Sequence, residues 1–270
     1  KRIKIFNNYN YLDKIFKTKV DYTMSAITGL DGLLPTKRII KYSKLIAIAN
    51  KESIICAWDI LKKELNKNKT KFIPVDSEHF SIWYALNNLK KYYLKNVYIT
   101  ASGGPLLNYP IKKLKKVSVK KALKHPNWNM GNKISIDSAT MMNKVFELIE
   151  AKNIFEISLN KISIIIHPKS YVHALISFNN GLIKIIAHDT DMKIPIFNTL
   201  YPNTTKWIKS EKINLSKLNN LDFQKVDLNK FPLVKVIKLI PNKTSLFETV
   251  LVSANDTFVE LFLKKKIRFT

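Results

Sequence analysis

Three carboxylates and a set of small polar groups are the residues of this sequence with chemistry to offer. Asp76 and Glu78 stand two apart in Pro74-Val75-Asp76-Ser77-Glu78-His79. In extended chain, side chains at that spacing point the same way. With Glu147 they form an oxygen donor set suited to a hard divalent cation such as Mg²⁺ or Mn²⁺, although a solvated turn would use Asp76 and Glu78 equally well. Ser102-Gly103-Gly104 can present backbone N–H groups to a phosphate or serve as a plain turn. From Ile134 to Ala151 a strand-like alternation gives way to a helical period at Met141, Met142, Val145, Phe146, Leu148 and Ile149. Asp137 or Ser138 at the junction would cap that helix. Asn143, Lys144 and Glu147 would share its polar face, where a helix N-terminus favours an anion; a solvated charged face is the plainer alternative. Ser102, Ser138, Asn143 and Lys144 together would serve a phosphate, with His125 and Trp128 on a loop above it. Taken singly, His125 reads as structural, as do His79, His167, His173 and His188.

The elements that must position these groups alternate strand, polar turn and helix. Val20 to Ala26 reads as a strand or a buried helix start, and Gly29 to Leu33 as a glycine-punctuated turn. Lys44 to Ala49 reads as a short strand, Asn50-Lys51-Glu52-Ser53 as its turn, and Ile54 to Leu65 as a helix. This is the tail of an open α/β domain, whose ligands gather at strand C-terminal ends. The six glycines never form G-x-G-x-x-G, so the first βα turn of a nucleotide-binding domain would lie before Lys1. Phe72 to Val75 reads as a strand, as does Val97 to Thr100 at the end of the stretch from Tyr92, and both end in polar turns. Lys112 to Lys124 reads as a basic helix-like stretch, and His125 to Gly131 as an irregular loop able to close over a ligand. Ile162–Ile166, Tyr171–Phe178 and Leu182–Ala187 read as strands, Asn203 to Leu221 as a linker, and Lys235–Leu239 and Ser245–Leu263 as helical.

Composition removes several function classes. Of 270 residues, 46% are hydrophobic and 11% aromatic, which excludes a mainly disordered chain. No run of 18 apolar residues is present, so no membrane span is expected. The net charge of +26 invites a nucleic-acid reading, yet of the 46 basic residues all but Arg2, Arg38 and Arg268 are lysine. Nucleic-acid readers lean on the arginine fork and on arginine–aromatic interleaving, and here the lysines are spread along the whole chain. Compositional drift of an AT-rich genome accounts for them, and no nucleic-acid partner is expected. Cys56 is the sole cysteine, which excludes an internal disulfide and a cysteine-built zinc site.

Seven motifs occur in order: Asn50-Lys51-Glu52-Ser53; Pro74 to His79; Ala101-Ser102-Gly103-Gly104-Pro105; His125 to Gly131; Asp137 to Lys144; Ile166-His167-Pro168-Lys169-Ser170; and Asp191-Met192-Lys193-Ile194-Pro195. The set resembles the 1-deoxy-D-xylulose 5-phosphate reductoisomerases, the second enzymes of the non-mevalonate isoprenoid pathway, from about Val20 to Thr270. The resemblance implies an α/β fold. Residues 1–68 would be the C-terminal part of a Rossmann-like NADPH-binding domain and 69–201 an α+β catalytic domain with a mixed sheet. Residues 202–226 would be a linker and 227–270 the start of a helical C-terminal region. It implies that Asp76, Glu78 and Glu147 hold Mg²⁺ or Mn²⁺, and that Ser102, Ser138, Asn143 and Lys144 take the substrate phosphate. Lys51, Ser77 and His125 would touch the sugar, Trp128 would cover it, and Asn50, Glu52 and Gly131 would touch NADPH. The implied catalytic residues are Lys51, Glu78, His125 and Glu147.

The implied reaction is metal-assisted rearrangement of the sugar phosphate to an aldehyde, then reduction by NADPH to 2-C-methyl-D-erythritol 4-phosphate. A phosphosugar-binding module without catalysis is the competing reading, and three convergent carboxylates speak against it. The glycine fingerprint and the C-terminal helical domain of the family lie outside the sequence, so the isolated chain is expected to bind NADPH poorly and turn over little. A homodimer is expected from the family. The lysine-rich composition and the pathway suggest the relict plastid (apicoplast) of a parasite, with bacterial cytoplasm as the alternative.

Overall fold

The computed structural model describes residues 5, 8–87, 89, 93–202, 205–243 and 245–270. Expectations that fall on Lys1, Arg2, Tyr92 and Asn203 lie outside those residues. A short helix α1 (Leu12–Ile15) precedes β1 (Val20–Ser25), α2 (Leu33–Ile40), β2 (Ser43–Ile48), α3 (Lys51–Lys67) and β3 (Lys71–Pro74). The three strands form a parallel sheet in the order β1-β2-β3, with Tyr22 opposite Leu45 and Leu45 opposite Lys71. Strands buried on both faces need near-continuous apolar sequence, which Leu45-Ile46-Ala47-Ile48 supplies. Ile40, Ile46, Ile48, Ile54 and Leu61 bury together beneath α2 and α3. Helix α2 occupies residues that follow the expected glycine turn; Pro35 sits in its first turn, where a missing N–H costs nothing.

The second layer system holds α4 (Ser77–Leu86), β4 (Leu94–Ala101), α5 (Val119–Ala122), α6 (Asn132–Thr140), α7 (Met142–Phe155), β5 (Ile162–Ile166), β6 (Val172–Phe178) and β7 (Ile183–Ala187). It continues with α8 (Lys193–Leu200), α9 (Leu215–Leu218), β8 (Gln224–Lys225) and α10 (Phe247–Leu263). Among the described residues its sheet runs β7-β6-β4-β5-β8. β4 and β5 are parallel and the other pairs antiparallel, so the sheet is mixed as expected. α4 and α7 cover one face, burying Ile82, Val97, Ile99, Leu148, Ala174 and Ile176 in one cluster. β8 falls inside the stretch read as a linker and pairs with β5, Gln224 opposite Ile166.

Two local expectations are corrected by the structure. The alternating stretch from Ile134 is helix and not strand. Ile136 and Ala139 bury with Leu106 on one side and with Val259 of α10 on the other, and a helix puts both on one face. Asp137 and Ser138 therefore lie within α6 and cap nothing. The chain breaks at Met141, which is buried with φ 65° and ψ 8°, and α7 begins without a side-chain cap. The second correction concerns Asp76 and Glu78, which are not in extended chain. Asp76 is the N-cap of α4, its carboxylate accepting from the Glu78 backbone N–H at 3.3 Å. The short acidic side chain competes for the exposed N–H groups and starts the helix one residue after β3.

Candidate active site

Every residue that the resemblance assigns to metal, substrate or cofactor lines one cavity of about 640 Å³. β2 delivers Asn50 at the N-cap of α3; its Oδ1 accepts from the Ser53 N–H at 2.7 Å, and its Nδ2 donates to the carbonyls of Ile27 and Gly29 at 2.6 and 2.8 Å. Lys51 and Glu52 follow in the first turn. β3 delivers Asp76 and α4 begins with Ser77 and Glu78. α7 delivers Asn143, Lys144 and Glu147 from one face, as their spacing requires.

The carboxylates meet. Asp76, Glu78 and Glu147 each offer an oxygen within 4.8 Å of the others, and Glu147 is 1% exposed. Lys144 Nζ donates to Glu147 at 2.5 Å and also to Glu78, and Asn143 Nδ2 donates to Glu147. Lys51 Nζ donates to Asp76 and to Glu150 at 2.9 Å each. Four carboxylates thus face two ammonium groups in a buried space. Burial, then the charge of Glu78, pushes the Glu147 carboxyl up to about 8. Burial works against the Lys51 ammonium, but Asp76, Glu150 and Glu147 outweigh it and hold its proton firmly. The crowding of negative charge and the all-oxygen donor set fit a hard divalent cation. Asp76, His79 and Glu150 form a neighbouring group, but the Lys51 ammonium already stands between two of its members.

The small polar groups stand beside the carboxylates. Gly104 takes φ +64°, and a Cβ built there would come within 2.7 Å of the Ser138 carbonyl oxygen. The Ser102 turn and helix α6 are therefore pressed together, bringing Ser102 and Ser138 to the same wall. The Gly104 N–H donates to Ser102 Oγ at 3.0 Å, so that turn folds onto its own serine.

His125 Nδ1 accepts from the backbone N–H groups of Asn127 and Trp128 at 3.2 and 2.9 Å. This puts the proton on Nε2, which lies 3.0 Å from Ser102 Oγ and donates to it. Burial, then Lys144, drives the His125 imidazolium down to about 4. Asn127 pins the loop from 125 to 131 by donating to the Pro168 carbonyl at 2.6 Å and to Ser170 Oγ at 2.9 Å. Trp128 packs edge-on against His173, which stacks on His188 at 3.8 Å.

Sequence reasoning missed Glu150, Lys133 and Asn255, and read His79 as structural without its partners. Glu150 lies one helical turn beyond Glu147, and His79 one turn beyond Asp76; that spacing was the available signal. His79 is fully buried, its Nε2 bonded to the Glu147 carbonyl at 2.8 Å. Burial opposes its proton, but Glu150 and Asp76 raise it to about 9. Nothing in the sequence marks the meeting of Lys133 with Glu52, Asp137 and Asp256.

Three family models match the chain: 1-deoxy-D-xylulose 5-phosphate reductoisomerase over residues 1–58, its C-terminal domain over 72–155, and the DXP reductoisomerase C-terminal domain over 188–270. The chain is 59% identical to the 1-deoxy-D-xylulose 5-phosphate reductoisomerase of Pelagibacter ubique over 270 residues, 99% of this chain and 70% of that protein. It is 38% identical to the Sulfurihydrogenibium enzyme of the same name, over 99% of this chain and 70% of the relative. The Zymomonas mobilis reductoisomerase solved with NADPH superposes with a TM-score of 0.87 at 35% identity, covering 97% of this chain and 68% of that one. A DOX-P reductoisomerase solved with NADPH, fosmidomycin and magnesium superposes with a TM-score of 0.84 at 38% identity, covering 93% and 64%. These named organisms are bacteria and lend the plastid expectation no support. No described helix is long and apolar enough to cross a membrane.

Proposed function

This chain belongs to the 1-deoxy-D-xylulose 5-phosphate reductoisomerase family, and we propose that its cavity isomerises 1-deoxy-D-xylulose 5-phosphate and reduces the product with NADPH to 2-C-methyl-D-erythritol 4-phosphate. The observation that carries this reading is the convergence of Asp76, Glu78 and Glu147 beside Ser102, Ser138, Asn143 and Lys144 in one cavity. A carboxylate trio for a cation beside a hydroxyl, amide and ammonium set for an anion is what a phosphosugar with an oxygenated head requires. Binding alone has no need of the trio.

Asp76, Glu78 and Glu147 would hold the divalent cation, and Asn50, Glu52 and Gly131 the cofactor. When bound, the cation supplies Lewis-acid polarisation of the substrate's oxygens and NADPH supplies the hydride. The chain's own residues do the rest. Lys144 neutralises the phosphate end and the carboxylates it bridges. Ser102, Ser138 and Asn143 fix that end by hydrogen bonds. Neutral His125 offers an Nε2–H donor to the sugar without adding charge. Ser77 donates to Glu78 at 2.5 Å and keeps that carboxylate turned inward. Lys51, with its proton held by three carboxylates, stabilises negative charge arising on the substrate. Trp128 and the loop from 125 to 131 exclude water from a reactive aldehyde.

The division into 1–68, 69–201, 202–226 and 227–270, with β8 of the third segment lying on the catalytic sheet, is part of the same reading, as are a homodimer and use of Mn²⁺ in place of Mg²⁺. The bacterial relatives favour bacterial cytoplasm over a plastid. The test is NADPH oxidation with 1-deoxy-D-xylulose 5-phosphate and Mg²⁺, and its loss in Glu147→Gln. No substrate-dependent oxidation by the full-length protein, or full activity of its Glu147→Gln variant at saturating Mg²⁺, would refute it.

A further inference from the structure

Lys133 lies in the first turn of α6, two residues after the loop from 125 to 131 ends, and lines the cavity. Its ammonium reaches three carboxylates from three regions of the chain. Glu52 of α3 lies at 2.9 Å, Asp256 of α10 at 3.1 Å, and Asp137 of its own helix at 3.3 Å. Asp137 is tied a second time to α10, where Asn255 Nδ2 donates to it at 2.8 Å. The Lys133 ammonium also lies over the Phe146 ring of α7, with Nζ 5.5 Å from the ring centroid. Glu52 is 8% exposed and Asp137 2% exposed, so neither carboxylate has bulk water to turn to if the ammonium is removed.

We propose that Lys133 is a positioning residue: it fixes the Glu52 carboxylate in the cavity and ties the base of the 125–131 loop to α3 and α10. The inference rests on the cofactor reading of Glu52. A Glu52 side chain held from one side by Lys133 keeps its second oxygen for a hydroxyl of the cofactor. Without that hold, its carboxylate swings among several rotamers, and cofactor affinity falls while the phosphate seat and carboxylate trio stay in place. A purely structural ion pair would instead lower stability and change no kinetic constant selectively.

Lys133→Gln removes the charge and ends one atom short of the ammonium, so it cannot bridge Glu52, Asp137 and Asp256 together. In the full-length protein, with 1-deoxy-D-xylulose 5-phosphate and Mg²⁺, the KM for NADPH should rise about tenfold, as expected for loss of a charged hydrogen bond. The KM for the sugar phosphate should change less than about threefold. Lys133→Arg should restore most of the NADPH affinity. The double variant Glu52→Gln/Lys133→Gln should bind NADPH no more weakly than the worse single variant, because the lysine acts through the glutamate. That double variant also removes two opposed charges together, so it serves if Lys133→Gln does not fold. Additive losses in the double variant, or wild-type NADPH affinity in folded Lys133→Gln while Glu52→Gln is weakened, would overturn the positioning role. Unchanged NADPH affinity in Glu52→Gln would overturn the cofactor reading itself.

Discussion

Replacing Gly104 by alanine tests the packing that brings the two serines of the phosphate wall together. The new Cβ would stand 2.7 Å from the Ser138 carbonyl oxygen, 3.0 Å from its carbonyl carbon and 3.2 Å from its Oγ. The first two contacts are backbone and cannot swing aside. The residue also sits at φ +64°, where an L side chain costs about 1–2 kcal/mol. Relieving the overlap adds about 1–3 kcal/mol, the usual range for an overpacked core. The total of about 2–5 kcal/mol converts to a melting temperature lowered by roughly 5–15 °C for a chain of this size. Relief must come from Ser138 or the Ser102 turn moving apart, so the KM for the sugar phosphate should rise about tenfold while that for NADPH holds. Gly131→Ala is the control for stability: its φ is −61° and no atom lies within 4 Å of the built Cβ. It should melt within about 1 °C of the parent, as open surface changes do. Thermal melts followed by circular dichroism and steady-state kinetics supply the readouts. Gly104→Ala melting with the parent, or the two alanine variants losing stability equally, would refute the argument.

Lys51→Met should destabilise the fold by about 3–5 kcal/mol in urea titrations, because it leaves buried Glu150 and partly buried Asp76 without their shared cation; a loss under about 1 kcal/mol would show that water reaches both. Mg²⁺ should raise the melting temperature with concentration, as a ligand of the native state does, and Glu147→Gln should abolish most of that rise; an undiminished rise in the variant would put the cation elsewhere. His125 should titrate near pH 4 by NMR, well below the unfolded value of about 6.5. Since the folded value is the lower one, the unfolded chain binds more protons between those limits. His125 therefore contributes its full stability above pH 6.5 and loses it as the pH falls toward 4. A measured value above 6 would mean that its ring is solvated.

The proposed chemistry was legible in residue types because hard cations favour carboxylate oxygens and phosphates favour hydroxyl, amide and ammonium donors. Asp76, Glu78 and Glu147 could be picked out without knowing that the first two sit on a helix turn. The strands at 43–48, 162–166, 172–178 and 183–187 were legible as apolar runs of strand length, whereas the mixed sheet came from the family resemblance. The alternation of Ser135, Ile136 and Asp137 misled because it is three residues long and helix contacts from α10, more than a hundred residues away, decide the outcome. Lys133 stayed invisible for the same reason. Its partners at 52, 137 and 256 are ordinary acidic residues until the fold assembles them.

The reversal of handedness at Met141 divides one stretch of chain into two helices that serve the same cavity. A continuous α-helix would space Ser138 and Glu147 roughly 13 Å apart along its axis. With the bend, α6 contributes Ser138 and α7 contributes Asn143, Lys144 and Glu147 to that cavity. A residue gained or lost within α7 would turn its amide, its ammonium and its carboxylate together and leave Ser138 where it is.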